Sequence, residues 1–147
     1  MNQEVMFSSK SDEWSTPQNL FDELNAEFRF NLDPCATLEN HKCDKYFTKN
    51  EDGLSQNWEG YNVFCNPPYG RAIGKWVEKS YEESRKGALV VMLIPARTDT
   101  KWFHSFILGK AEIRFIKGRI KFGDSSKDAP FPSMIVIYRG GAKNEYK

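Results

Sequence analysis

Asn66, Pro67, Pro68 and Tyr69, entered from the apolar run Val63-Phe64-Cys65, are the residues of this 147-residue chain whose types and spacing say most about chemistry. Two prolines fix their own backbone angles and supply no N–H, so the carbonyls around them are held stiffly. The Asn66 side chain adds an acceptor oxygen beside them, and Tyr69 adds a flat face at the rim. Two oriented acceptors and an aromatic plate suit a planar ring that bears an exocyclic amine. A Pro-Pro pair on its own usually does no more than end a strand; here the whole tetrapeptide follows an apolar strand pattern. Other chemistry-bearing groups are less telling. Cys35, His41, Cys43 and Cys65 lack the tight Cys-x-x-Cys pair of structural zinc sites, so no metal is expected. His104 lies on an aromatic helix pattern, where a surface or hydrogen-bonded histidine is the ordinary role. Gly70-Arg71-Ala72-Ile73-Gly74 lacks the Gly-Lys-Ser/Thr ending of a phosphate loop and is expected to hinge the tetrapeptide.

Elements must bring such groups together, and hydrophobic periodicity lays them out. Leu20, Phe21, Leu24 and Phe28 recur at helical spacing after Thr16-Pro17, a start in which proline loses no useful hydrogen bond. Arg29 to Asp33 alternates polar and apolar residues and runs into Asp33-Pro34, as a short strand entering a turn does. Residues 37–45 suit one helical turn, and Asn50-Glu51-Asp52-Gly53 is a turn signal. Gly60 to Cys65 is a strand stopped by the tetrapeptide. Ile73 to Lys86 is a helix with Ile73, Trp76, Val77 and Tyr81 on one face. Ala88 to Ile94 is continuously apolar, the pattern of a strand buried on both sides. Thr100 to Lys110 is a helix, Glu112 to Ile116 and Ser133 to Tyr138 are strands, and residues 118–129 connect them. Strands alternating with helices around an all-apolar strand predict an α/β fold with a mostly parallel sheet and a C-terminal antiparallel strand pair. Ligands of such sheets sit at the carboxyl ends of strands, and Asp33, Asn66 and Pro95 each fall just past one.

Composition narrows the class. Hydrophobic residues at 39% with 28% charged residues fit a soluble globular chain and exclude a fibre or a disordered tail. The longest apolar run, Ala88 to Pro95, is far short of the roughly 20 residues of a membrane helix, and residues 1–10 do not have the pattern of a signal peptide. Three cysteines, an odd number without a paired pattern, favour a reducing cytoplasm over a disulfide scaffold. Twenty-one Lys and Arg against 20 Asp and Glu leave a net charge of +1, which rules out a purely electrostatic nucleic-acid binder. Any contact to DNA or RNA would have to come from local cations, for which Arg97, Lys101, Arg119 and Lys121 stand in or after suitable turns. One domain is expected over residues 11–140, between a flexible lead-in at 1–10 and a polar tail at 141–147.

An ordered set of motifs spans nearly the whole chain: Trp14-Ser15-Thr16-Pro17, Leu32-Asp33-Pro34-Cys35-Ala36, Asp52-Gly53-Leu54, Asn66-Pro67-Pro68-Tyr69-Gly70, Leu93-Ile94-Pro95-Ala96-Arg97-Thr98-Asp99-Thr100 with Trp102-Phe103, Gly118-Arg119, and Ala129-Pro130-Phe131-Pro132-Ser133. In these the chain resembles the amino-group DNA methyltransferases, specifically the small phage-type DNA N-6-adenine methyltransferases. The resemblance implies a single-domain Rossmann-like methyltransferase fold. It also implies site-specific transfer of a methyl group from S-adenosylmethionine to the N6 amine of adenine in DNA, in a bacterial host cytoplasm and in a restriction-modification setting. Asn66 and a proline-turn carbonyl, that of Pro67, would accept hydrogen bonds from the amine and stabilise the positive charge growing on it. Pro68 would stiffen the turn, and Tyr69 would stack the adenine flipped out of the duplex. No general base is obligatory. By the same resemblance Asp33 stands at the acidic start of the family's cofactor loop, where Asp33, Pro34, Cys35 and Ala36 replace the usual glycine-rich sequence. Asp52 matches the acid that takes the cofactor's adenine amine, with Leu54 against the ring, and Trp14, Thr16 and Pro17 match an N-terminal cofactor lid. Asn66 borders both ligands. Sequence choice would fall to the 118–129 loop. Two alternatives remain at this stage: methylation of another amine, in cytosine, RNA or protein, and a catalytically silent DNA-binding module. Monomer and dimer are equally compatible with these residues.

Overall fold

The computed structural model describes residues 14–123 and 128–140, so the expected lead-in 1–10, the tail 141–147 and part of the 118–129 loop lie outside the described residues. In chain order the elements are helix α1 (Gln18–Phe28), a 3₁₀ turn (Gly53–Ser55), strand β1 (Asn62–Cys65), helix α2 (Ile73–Arg85), strand β2 (Leu89–Pro95), helix α3 (Lys101–Phe106), and strands β3 (Glu112–Phe115) and β4 (Ser133–Tyr138). Each follows from its pattern. α1 buries Phe21, Leu24 and Phe28, three residues of one helical stripe. β2 is buried at every position but Leu89, and β4 is buried throughout, as befits the two central strands. Each fully buried aliphatic or aromatic side chain there contributes about 1.5–3 kcal/mol.

The four strands form one sheet in the order β1-β2-β4-β3. β1 and β2 are parallel, whereas β4 runs antiparallel to both β2 and β3. The expectation of a mostly parallel sheet is therefore corrected to a mixed one. β3 and β4 do form the anticipated antiparallel pair, but β4 enters beside β2, and its six buried residues take the central place that reversal makes available. Beyond β1 the parallel half continues as isolated bridges rather than the expected full strand at residues 29–33. Leu32 pairs with Val63 and Asp33 with Tyr46, both parallel. Residues 37–45 form turns and bends instead of a helical turn.

Two further features set the site. Thr16 does not cap α1: Pro17 occupies the cap position and no side chain bonds the first turn. The 3₁₀ turn is anchored from below by Trp58, which is fully buried, donates its Nε1–H to the Gly53 carbonyl at 3.0 Å and donates its main-chain N–H to the Glu83 carboxylate at 2.6 Å. No helix among the described residues is long and apolar enough to cross a membrane.

Candidate active site

The end of β1 and the end of the Leu32-Asp33 segment open onto one cleft of about 530 Å³. Its walls include Trp14, Thr16, Asp33, Cys35, Asp52, Asn66, Pro67 and Pro68, all candidate residues from four separate stretches of sequence. That volume lies within the ordinary range of small-molecule sites, about 300–1,000 Å³. Pro17, Pro34, Leu54 and Tyr69 are not among the lining residues, nor are Arg97, Lys101, Arg119 and Lys121. The third turn, after Pro95, lies elsewhere: Ala96 N–H bonds the Pro132 carbonyl at 2.9 Å, and Arg97 stands 6.0 Å from the Phe131 ring.

Asp33 is 4% exposed and holds the loop that follows it. One carboxylate oxygen accepts the Lys42 N–H at 2.9 Å and the other the Cys35 N–H at 3.4 Å. Burial pushes its carboxyl up to about 6, against the opposing pull of those two N–H groups. The loop is tightened further by Thr37 and Asn40, bonded to each other, and by His41, whose ring stacks on Tyr46 at 3.9 Å. Asp33 thus shapes the cleft floor with both of its oxygens. Asp52, by contrast, is exposed at the cleft wall, in the left-handed region at φ 57°, with its carboxylate accepting the Leu54 N–H at 3.2 Å. The Asp52 turn reaches Asp33 because Gly53 lets the chains touch: a Cβ there would lie 2.0 Å from the Pro34 carbonyl oxygen.

Asn66, half-buried, is held at three points. Its Nδ2 donates to the Trp14 carbonyl and, at 2.9 Å, to Thr16 Oγ1. Its Oδ1 lies 2.8 Å from the Tyr69 hydroxyl, which is also 2.9 Å from the Leu93 carbonyl. The single phenolic proton serves one of these acceptors at a time, and a carboxamide oxygen takes two hydrogen bonds, so Oδ1 keeps capacity for another donor. Tyr69 is the clearest departure from expectation. Instead of a plate at the rim it is 3% exposed, edge-on to Phe122 and Phe131, and burial holds its phenol well above the ordinary range. Trp14 packs edge-on against the same two phenylalanines, at 5.4 and 5.1 Å.

Of the four expected DNA-facing cations, Arg97 and Lys101 are exposed, Arg119 lies 3.5 Å from the Ala129 carbonyl, and Lys121 pairs with Asp128 at 2.5 Å. Sequence reasoning missed Lys42, Lys49, Thr37 and Asn40 on the cleft wall, and Phe122 and Phe131 behind Tyr69. Only Phe131 carried a signal, lying within one of the recognised motifs. Among the described residues no three His, Cys, Asp or Glu side chains converge as metal ligands.

The family model described as DNA N-6-adenine-methyltransferase (Dam) matches residues 4–145. A DNA N-6-adenine-methyltransferase of Haemophilus phage HP1 is 28% identical over 151 aligned residues, covering 94% of this chain and 87% of the relative. Another protein of that name, from Escherichia phage T1, is 32% identical over 108 residues, 72% of this chain and 45% of the relative.

Proposed function

As the chain belongs to the DNA N-6-adenine-methyltransferase family, we propose that its cleft transfers a methyl group from S-adenosylmethionine to the N6 amine of adenine in DNA. The observation that carries this is the arrangement at the end of β1, where Asn66, Pro67 and Pro68 open on the same cleft as Asp33 and Asp52. The amine's lone pair is delocalised into the ring, so the protein has to favour the charge that develops on nitrogen as it reacts. Asn66 Oδ1 and the Pro67 carbonyl are the acceptors for its two hydrogens. Both are preorganised, the first by three hydrogen bonds and the second by proline backbone, and such fixed acceptors contribute to rate without reorganisation.

The cleft fits the cofactor in size and in chemistry. Apolar walls from Trp14, Phe64 and Trp76 face polar groups from Asp33, Asp52, Asn50 and Thr48. When bound, S-adenosylmethionine supplies a methyl group already activated on a sulfonium. Asp52, exposed in its turn, is the acceptor for the cofactor's adenine amine. Asp33 and Cys35 shape the adjoining floor, with Pro34 behind them against the Gly53 turn, Leu54 supports the Asp52 turn, and Trp14 and Thr16, followed by Pro17, form the cover. The parallel half of the sheet, running from Tyr46 through Leu32-Asp33 to β1 and β2, is consistent with a Rossmann-like methyltransferase fold, and Asp33 and Asn66 follow the carboxyl ends of two of its strands. The substrate adenine enters flipped from the DNA. For it to stack on Tyr69, the Phe122 and Phe131 rings packed against that side chain must give way. Arg97, Lys101, Arg119 and Lys121 hold the phosphates, and the bacterial host cytoplasm is the setting.

Transfer of labelled methyl from S-adenosylmethionine to unmethylated DNA, followed by nucleoside analysis, tests this. N6-methyl-2′-deoxyadenosine is expected from the wild type, and Asn66→Ala should lower the rate by at least ~100-fold with its circular dichroism unchanged. N4-methylcytosine as product would overturn the base, and full activity of Asn66→Ala would overturn the catalytic role.

A further inference from the structure

A carboxamide offers an acceptor on one side and a donor on the other, and rotating it by half a turn exchanges them at constant volume. An asparagine that must accept from an amine therefore needs something to select its orientation. In this chain both Asn66 Nδ2 hydrogens are claimed by the segment ahead of α1, one by the Trp14 carbonyl and one by Thr16 Oγ1 at 2.9 Å. The Trp14 carbonyl can only accept, so the reversed amide would set oxygen against oxygen. Thr16 is 5% exposed and forgoes the helix cap that a threonine before a helix ordinarily supplies; α1 has no side-chain cap. Its oxygen is committed to Asn66. The segment is in turn pinned at Ser15 by two distant stretches of chain, by Asn40 Nδ2 to Ser15 Oγ at 3.1 Å and by Gly123 N–H to the Ser15 carbonyl at 2.8 Å.

We propose that Thr16, together with the main-chain carbonyl of Trp14, is a positioning residue that locks the Asn66 carboxamide with its oxygen free to accept from the target amine. The inference rests on the adenine-amine reading above and gives Thr16 a role in the rate of transfer, distinct from covering the cofactor. The Tyr69 hydroxyl completes the arrangement on the oxygen side, and its alternative acceptor, the Leu93 carbonyl, lets it yield when the amine binds.

Three measurements on wild type, Thr16→Val and Thr16→Ser test it: single-turnover methylation at saturating cofactor, cofactor affinity by calorimetry, and the side-chain amide signals of Asn66 in a ¹⁵N–¹H spectrum. Thr16→Val, matched in shape but lacking the acceptor, should slow transfer about tenfold, the scale of one ordinary hydrogen bond. Since valine keeps the threonine shape in the cover over the cofactor, any loss of cofactor affinity should be well below the loss of rate, and Thr16→Ser should recover most of the rate. One Asn66 amide proton should shift and lose its protection in Thr16→Val. In the Asn66→Ala background the valine substitution should have no further effect on rate, which keeps the test decisive even if Thr16→Val is less stable. A wild-type rate in Thr16→Val, an unchanged Asn66 amide, or a loss confined to cofactor affinity would each overturn the proposal. Failure of the wild type to methylate DNA adenine would instead overturn the functional reading, while the amide spectrum would still report the hold on Asn66.

Discussion

Asp33 is where a single side chain has the most consequence for behaviour in solution. Its buried carboxyl titrates near 6 in the fold against an ordinary 3.8, chiefly because burial penalises the charge. The folded state therefore holds a proton that the unfolded chain has already released. Stability from this group is fully present below about pH 4, declines as pH rises to about 6 and is flat above, a change on the order of 3 kcal/mol. Asp33→Asn removes the titration. In urea unfolding at intervals from pH 4 to 7, the stability of the wild type relative to Asp33→Asn should fall across that window. A difference independent of pH would show that Asp33 titrates as in the unfolded chain. The same residue scale explains Tyr69: an aromatic followed by Gly70 has the sequence of a rim residue, yet its ring completes a cluster with Trp14, Phe122 and Phe131 that only the fold assembles.

At the scale of elements, the approach of the 3₁₀ turn to the Asp33-Pro34 turn decides the cleft, and Gly53 is the point where they meet. A methyl group there runs into backbone rather than a movable side chain, at 2.0 Å from the Pro34 oxygen. Gly53→Ala should cost at least about 2 kcal/mol and weaken cofactor binding with it, since Asp52 moves too. Gly74 provides the contrast. It lies inside α2, where a Cβ would sit at an ordinary packing distance, 3.4 Å from Trp102, so Gly74→Ala should stabilise by about 0.5–1 kcal/mol through helix propensity. Thermal unfolding of the two variants with and without S-adenosylmethionine checks both. A tolerated Gly53→Ala would mean that the two turns are free to separate.

For the molecule as a whole, a net charge of +1 leaves DNA attraction to a few local cations. Arg97 and Lys101 are exposed near the end of β2, outside the cleft. Replacing both with glutamine should raise the KM for DNA about tenfold at moderate salt and reduce the salt slope of binding by roughly 0.9 for each phosphate that is no longer neutralised. Cofactor affinity should not change. If fluorescence anisotropy gives an unaltered salt slope, the DNA lies on another face. Surface pairing elsewhere, such as Glu27 with Arg114 at 2.7 Å, joins α1 to β3 and adds little to stability at its exposure.

Most segments that become helices and strands are legible in the amino-acid order, because periodic burial is a local pattern; residues 29–33 and 37–45, which are short, are the exceptions. The tetrapeptide is legible too, because its backbone and chemical demands are equally local; the two acids stand at turn signals, and their cofactor roles come from the family resemblance. Helix α2, the buried strand β2, strand β4 and the cleft residues Asn66 and Pro67 all belong to this class. The antiparallel entry of β4 beside β2, the withdrawal of Tyr69 from the rim and the diversion of the Thr16 hydroxyl from its helix to Asn66 do not; they emerge only when the chain packs. Each depends on partners far along the chain; Thr16 and Asn66 are 50 residues apart. A hydroxyl beside a helix start has two competing uses, and which one wins is set by what the fold brings within hydrogen-bonding reach of it.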